Sequence, residues 1–172
     1  DSLIKDSRAF ASKGNFENAF EDNAAAEKLA LDKLGRISAA YGSCCFNRGR
    51  VNYFKNDFVD AEKWYLESID IRSQIPGRGK EHPDYATSLN SLASIYRQKG
   101  DFARAEPLYL EARDIRAKAL GKEHADYSAS LMGLAMLYED FGDFERAESL
   151  YIETKNIRAK TLGKEHPDYA NN

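Results

Sequence analysis

The feature that most constrains this chain is a tetrapeptide that recurs at a fixed distance. Gly-Lys-Glu-His ends at His82, His124 and His166, so successive copies lie 42 residues apart. Residues 84–125 and 126–167 align without a gap and are identical at 25 of 42 positions. A fixed period of this length is typical of an array of repeated structural units.

A second periodic motif extends the repeat over the whole chain. It centres on a phenylalanine that follows the dipeptide Gly-Asn, Asn-Asp or Gly-Asp. The intervals between successive copies of this phenylalanine are 42, 44 and 42 residues. The two additional residues fall in 75–79, which contains proline and glycine, and loops tolerate insertion well. We therefore predict four repeats, at approximately 1–34, 35–83, 84–125 and 126–167, with 168–172 as the truncated start of a further repeat.

Each repeat is predicted to form two helices. In the third repeat, apolar residues recur at helical spacing, stop at Gly100 and resume at Phe102. The second helix should run over about 102–120, where Pro107 removes a hydrogen bond or bends the helix. The first helices follow a loop, and an aspartate there would accept backbone N–H groups as an N-cap. The expected capping residues are Asp84, Asp126 and Asp168.

Composition agrees with an all-α fold and excludes several partners. Only 11 Gly and 4 Pro occur among 172 residues, and the net charge is −3. That charge offers no excess of cations for a nucleic acid, and no apolar run is long enough to cross a membrane. We therefore expect neither nucleic acid nor membrane as a partner. A cytoplasmic location is expected, and an extracytoplasmic one stays open.

The residues most often used in catalysis or metal binding are better explained by structure. Cys44 and Cys45 are neighbours, which suits two packed thiols better than a disulfide, a redox switch or a metal site. The three histidines occupy one equivalent loop position, which favours a hydrogen bond that fixes the loop over a catalytic or metal role. Trp64 is expected to pack between helices. We predict no catalytic site, no metal site and no cofactor.

The third and fourth repeats resemble tetratricopeptide repeats. The 42-residue period, with Gly-Lys-Glu-His-Pro-Asp-Tyr-Ala, is similar to the kinesin light chain type, which also occurs in bacterial multidomain proteins. This resemblance implies an all-α, right-handed superhelix of antiparallel helix pairs, whose first helices line a concave groove for a peptide or partner helix. The residues that match are Leu89, Leu92, Ala93, Tyr96, Gly100, Phe102, Ala105, Tyr109 and Ala112, then Leu131, Leu134, Ala135, Tyr138, Gly142, Phe144, Ala147 and Tyr151.

The resemblance also implies which residues face the groove. Its earlier part carries cations and amides beside aromatic rings, which suits carboxylates and the backbone of an extended peptide. Its later part carries two methionines, which adapt to apolar side chains. We therefore expect an acidic peptide with one or two apolar anchors, the alternative being that these positions are ordinary solvated or packed ones. The predicted groove residues are Lys5, Arg8, Phe46, Asn47, Arg50, Tyr53, Asn90, Ser94, Arg97, Met132, Met136 and Glu139.

Three function classes remain open at this stage. The first is a non-catalytic scaffold or adaptor module that binds a protein or peptide. The second is a regulatory or sensory segment of a larger bacterial enzyme, such as a protease or kinase, and the third is an architectural spacer. Because each repeat buries its apolar face against the next, we also expect Tyr151, Ile157 and Leu162 to be partly uncovered. We expect either that this chain is a piece of a longer array or that its terminal faces stack end to end between molecules.

Overall fold

The computed structural model describes residues 2–161, apart from the side chain of Leu3, and all of its regular structure is helical. His166, Asp168 and Leu162, on which parts of the sequence interpretation rest, lie outside the described residues. The helices are α1 (Ser2–Ser12), α2 (Phe16–Leu34), α3 (Ala39–Phe54), α4 (Phe58–Gln74), α5 (Pro83–Gln98), α6 (Phe102–Leu120), α7 (Ala125–Phe141) and α8 (Phe144–Thr161), with a 3₁₀ turn at Gly79–Glu81. The all-α class predicted from sequence is confirmed.

The helices form consecutive pairs, in each of which a first helix (α1, α3, α5 or α7) packs against the second helix that follows it (α2, α4, α6 or α8). The chain divides into two compact units, Asp1–Lys80 and Glu81–Asn172, with two pairs in each. Within the units, α2 packs on α3 and α6 packs on α7. None of the helices in residues 2–161 combines the length and the apolar character that crossing a membrane would need.

A tight turn of the same design joins the helices of every pair. The backbone N–H that follows the turn donates to the carbonyl five residues earlier: Asn15 to Phe10, Asp57 to Asn52 and Asp101 to Tyr96, each at 2.9 Å, and Asp143 to Tyr138 at 2.8 Å. This six-to-one bond requires a residue with positive φ, which favours glycine. Gly100 supplies it in the third pair, with φ of 73°, whereas Asn56 adopts φ of 59° in the second. Such a short turn makes the two helices antiparallel.

The residue after each turn begins the second helix as its N-cap. The Asp101 carboxylate accepts from the backbone N–H of Arg104 at 3.1 Å, and Asp143 accepts from that of Arg146 at 3.0 Å. Helix α6 extends from Phe102 to Leu120 as predicted and continues through Pro107, which lies on an exposed part of its surface.

The first helices of the second unit are capped by histidine, so the predicted aspartate N-caps at Asp84 and Asp126 are wrong. His82 Nδ1 accepts from the backbone N–H of Asp84 at 3.1 Å, and His124 Nδ1 accepts from that of Asp126 at 3.1 Å. Imidazole Nδ1 lies as many bonds from Cα as the side-chain oxygen of asparagine, so it can make the same capping bond. The aspartates lie in the first turn, where their charge still opposes the helix dipole. The prediction that histidine fixes this loop through a hydrogen bond is confirmed at both described positions.

Replacing the capping histidine tests this arrangement. His124→Ala should lower the free energy of unfolding by about 1 kcal/mol, because a backbone N–H at the start of α7 loses its acceptor. His124→Asn should retain most of the stability, since its amide oxygen can accept the same bond. Urea unfolding followed by circular dichroism measures both variants. Equal stability of the alanine variant and the wild type would contradict a capping role.

Close contacts between tyrosine rings and glycines set the spacing of the helices. In the first unit, a Cβ atom built on Gly49 of α3 would lie 2.7 Å from ring atoms of Tyr65 of α4. In the second unit, a Cβ atom on Gly133 of α7 would lie 2.4 Å from Tyr109 Cε1 of α6. Tyr109 is 2% exposed, so the ring has little room to move away. The first contact joins the helices of one pair, and the second joins two successive pairs.

Buried leucines on α5 and α7 contribute to the apolar core of the second unit. Leu89 and Leu92 on α5, with Leu131 and Leu134 on α7, are each at most 2% exposed. Burial of a leucine side chain contributes roughly 1.5–3 kcal/mol. Ile157 of α8 is also buried and packs with Tyr127 and Leu131, so the prediction that it is partly uncovered is wrong. The reason is that its own pair, α7 and α8, covers it.

The glycine contact predicts a specific loss of stability. Gly133→Ala should reduce the free energy of unfolding by about 1–2 kcal/mol, because overpacking costs more than alanine gains in helix propensity. In a Tyr109→Leu background the same substitution should cost little or stabilise the protein, since the ring that it meets is absent. Unfolding of the two single variants, the double variant and the wild type gives the coupling energy. Additive effects would show that the two residues are not in tight contact.

Candidate functional site

Two of the predicted groove residues of the first unit are buried in its core. Asn47 is 1% exposed, and its Nδ2 donates to Ser7 Oγ at 2.7 Å and to Asn23 Oδ1 at 3.1 Å. Asn23 in turn donates to the carbonyl oxygen of Cys44 at 3.2 Å. Asn47 therefore ties α1 and α2 to α3, and its side chain faces the interior of the unit.

Phe46, like Asn47, is a buried packing residue of the first unit. Its ring centroid lies 5.5 Å from that of Tyr65, and the guanidinium carbon of Arg72 lies 5.0 Å from the Phe46 centroid. The side chain is buried. The family pattern could not reveal this, because it specifies which helix positions face the groove and not how deeply a large ring turns inward.

The remaining predicted residues of the first unit are accessible and mostly cationic. Lys5 and Arg8 are exposed on α1, whereas Arg50 and Tyr53 are half-buried on α3. Since α1 packs against α3, these residues form one surface, which we call the α1/α3 face. The Arg50 guanidinium carbon lies 5.9 Å from the ring centroid of Phe54, which is 44% exposed. Phe54 was not predicted to belong to this face, although the sequence places it one helical turn after Arg50.

Arg50 is partly buried and lies near a second cation, Arg8. Burial lowers the pKa of its guanidinium, and the charge of nearby Arg8 lowers it further. Both causes disfavour the charged form. An anion placed beside these two groups would be attracted by both.

The predicted groove residues of the second unit also share one surface, the α5/α7 face. Asn90, Ser94 and Arg97 lie half-buried on α5, and Met132 is half-buried on α7, where Met136 is 36% exposed. The Asn90 Oδ1 atom is shielded from solvent and has no hydrogen-bond partner among the described residues. This buried oxygen is therefore out of reach of a ligand in this side-chain conformation, whereas the accessible Met136 offers a flexible apolar contact.

Arg97 is less available to a ligand than the sequence suggests. Its Nη1 donates to Asp140 Oδ2 of α7, and its side chain is only 14% exposed. The hydrogen bond and the charge of Asp140 raise the pKa of Arg97 against the opposing effect of burial. The ion pair ties α5 to α7, so Arg97 has an evident structural role.

Glu139 is exposed and accepts a hydrogen bond from Tyr151 Oη at 2.6 Å. Burial raises the pKa of Tyr151 to about 12, and the hydrogen bond to Glu139 adds to this shift. Beside these two residues lies an open cleft of about 400 Å³. The other residues that line it are Phe144, Ala147, Glu148, Ile152 and Lys155 of α8. The sequence interpretation did not include this cleft. Its apolar lining includes Phe144 and Ile152, which are exposed in the structure.

A buried arginine that the sequence interpretation did not single out organises the second unit. Arg116 Nη1 donates to the Asp126 carbonyl at 3.0 Å and to Ser130 Oγ at 2.8 Å, and Nη2 donates to Thr87 Oγ1 at 3.0 Å. Burial lowers its pKa. Arg116 thereby connects α6 with α5 and α7, which is a structural function.

The cysteines and Trp64 behave as predicted. Cys44 and Cys45 are free thiols, each 1% exposed, and pack with Tyr41 and Ile71. Trp64 packs against this cluster, and the Arg48 guanidinium lies 4.2 Å from its ring centroid. Residues 2–161 contain no group of three His, Cys, Asp or Glu side chains placed to share a metal ion.

These observations define a protein built of helical hairpin repeats. The family model described as Tetratricopeptide repeat matches residues 36–118 and 84–160, which together span more than half of the chain. The chain belongs to the tetratricopeptide repeat family. Repeats of this family are generally protein-interaction modules, and the fold is typically non-catalytic.

Solved structures share the fold and agree with the predicted kinesin light chain-like subtype. BtubC (BKLC) from P. vanneervenii has 24% identity and a TM-score of 0.77, over 94% of this chain and 63% of that one. A putative kinesin light chain from Podosopora anserina, with nearly identical TPR-like repeats, has 24% identity and a TM-score of 0.76. The match covers 98% of this chain and 79% of that one. A variant of that Podosopora anserina protein has 24% identity and a TM-score of 0.77, and the match covers 98% of this chain and 78% of that one. The chain therefore spans less than two thirds of BtubC. A search of curated proteins found no match.

The environment of the cysteines predicts low reactivity. Burial raises the pKa of Cys44 to about 11 and that of Cys45 to about 12. Since the thiolate is the reactive form, a thiol reagent at pH 8 should modify the native protein at least about 100-fold more slowly than the urea-unfolded chain. Rapid labelling of the native protein would contradict this.

The same shifts predict how stability depends on pH. A thiol whose pKa is raised by folding loses its proton more easily in the unfolded chain, so alkali favours unfolding. The contribution of the protonated thiols should be intact below about pH 9 and decline towards pH 12. A Cys44→Ala, Cys45→Ala double variant should show a shallower decline in urea unfolding over this interval.

Proposed function

We propose that this chain is a non-catalytic interaction module that binds an acidic segment of a protein, in an extended or helical conformation, through the faces of its first helices. The observation that carries the proposal is the cationic α1/α3 face. Lys5, Arg8 and Arg50 have no ion pair with a carboxylate among the described residues. An acidic ligand would supply the missing counter-charges, and arginine can hold a carboxylate through two parallel hydrogen bonds.

The α5/α7 face of the second unit offers a different type of contact. The accessible Met136 suits an apolar side chain of a ligand. Phe46 and Asn47 are left out of the proposed contacts, because both hold the interior of the first unit together.

Within residues 2–161, both histidines and both cysteines already have structural roles, which supports a non-catalytic function. His82 and His124 cap helices, and the raised pKa values keep Cys44 and Cys45 protonated. A nucleophile or a general base needs a position from which it can reach a substrate. These side chains are occupied or buried instead.

A charge reversal tests the proposed surface. Peptides selected on an array by the full 172-residue chain should be acidic, and Arg50→Glu should weaken their binding at least about tenfold, because a favourable charge contact becomes a repulsive one. Lys28→Glu is the matched control, since Lys28 is an exposed cation of α2 in the same unit. Titration calorimetry gives the affinities, and circular dichroism checks that each variant is folded.

Arg97 serves as a second probe with a different expected outcome. Arg97→Gln should destabilise the second unit, because Asp140 loses its partner, while the α1/α3 face keeps its charges. Urea unfolding measures this loss of stability, and an Arg97→Gln variant as stable as the wild type would contradict the structural role of the ion pair. Acidic-peptide binding that is unchanged in Arg50→Glu would overturn the assignment of the α1/α3 face.

A further inference from the structure

The α1/α3 face brings together two arginines that have no anionic partner within the described chain. Arg8 is exposed and Arg50 is half-buried, and neither pairs with an Asp or Glu among residues 2–161. Two other partly buried arginines of this protein have carboxylate partners. Arg48 pairs with Glu27 at 2.9 Å, and Arg97 pairs with Asp140. Arg50 therefore differs from these two arginines.

The position of the two arginines is fixed by the helix packing. The hydrogen bond from Asn47 Nδ2 to Ser7 Oγ holds α1 against α3 at 2.7 Å. Arg8 directly follows Ser7, and Arg50 lies one helical turn after Asn47 on α3. Arg8 and Arg50 thus lie on neighbouring helices beside a buried contact, close enough for the charge of Arg8 to act on Arg50.

We propose that Arg8 and Arg50 form a binding site for the phosphate monoester of a phosphorylated serine or threonine in the peptide ligand. The inference rests on the proposed function, since it assigns the ligand class of the same face. A phosphate monoester carries about −1.5 to −2 charges near neutral pH and three acceptor oxygens, so it can neutralise both guanidinium groups and bond to each. A single carboxylate neutralises only one of them.

The surroundings of Arg8 and Arg50 favour a phosphate group carried by a peptide over free inorganic phosphate. Burial lowers the pKa of Arg50 and the charge of Arg8 lowers it further, so an anion that contacts both residues relieves a repulsion already present in the protein. The exposed ring of Phe54 lies beside Arg50 and offers an apolar contact to a residue that flanks the phosphorylated one. The site therefore combines dianion recognition with a contact that only a longer ligand can make.

Three matched peptide libraries test the proposal with the full 172-residue chain. They are degenerate nine-residue libraries whose central residue is phosphoserine, glutamate or serine. Selected peptides are resynthesised in all three forms and titrated. The phosphoserine form should bind at least about tenfold more tightly than the glutamate form. The reason is that phosphate can accept one more charge-assisted hydrogen bond from the arginines than a carboxylate can. Inorganic phosphate alone should compete only weakly, because it lacks the flanking contacts.

Variants assign the preference to the two arginines. Arg50→Gln and Arg8→Gln should each reduce the phosphoserine-to-glutamate preference to less than about threefold, whereas Lys28→Gln should leave it unchanged. Circular dichroism and urea unfolding verify that the variants are folded. Arg50→Lys should restore part of the preference, since it returns the charge without the planar pair of donors.

The outcomes separate this inference from the function on which it rests. A phosphoserine preference that disappears in both glutamine variants supports the site. Equal binding of the phosphoserine and glutamate forms, or a preference unaffected by the variants, overturns the phosphate site and leaves the acidic-peptide module standing. Failure of every library to yield a bound peptide overturns both proposals.

Discussion

The close approach of a tyrosine ring to a glycine is the contact on which the rest of the structure depends. Tyr65 reaches Gly49 within a helix pair, and Tyr109 reaches Gly133 between successive pairs. A Cβ atom at either glycine would overlap the ring, so glycine allows the helices to approach closely enough to exclude water. This spacing then determines which side chains of the first helices are buried and which form an open face.

Buried polar side chains fix the positions that apolar packing leaves undetermined. Asn47 holds three helices of the first unit, and Arg116 connects three helices of the second. Burial of such groups is costly unless their hydrogen bonds are made, which restricts the helices to arrangements that satisfy them. The Ser7–Asn47 bond also places Arg8 beside α3, the helix that carries Arg50.

Most of the fold was predictable from sequence because its signals are local and repeated. The turn glycines and the period of 42 predicted helix pairs, and α6 begins and ends where the pattern indicated. The capping residue was misassigned because sequence preferences favour aspartate at an N-cap, whereas His82 and His124 occupy that position. An imidazole nitrogen can make the same bond, and only coordinates show which of two nearby acceptors is aligned with the free N–H.

The sequence by itself determined the helical pairs, their turns and the cationic character of α1 and α3, since periodicity and residue type are local properties. The tertiary structure decided which of those residues a ligand can reach. It buried Phe46 and Asn47, paired Arg97 with Asp140, and left Arg50 without an acidic partner among the described residues. The physical reason is that burial and ion pairing depend on side chains from other helices, which lie far away in the sequence.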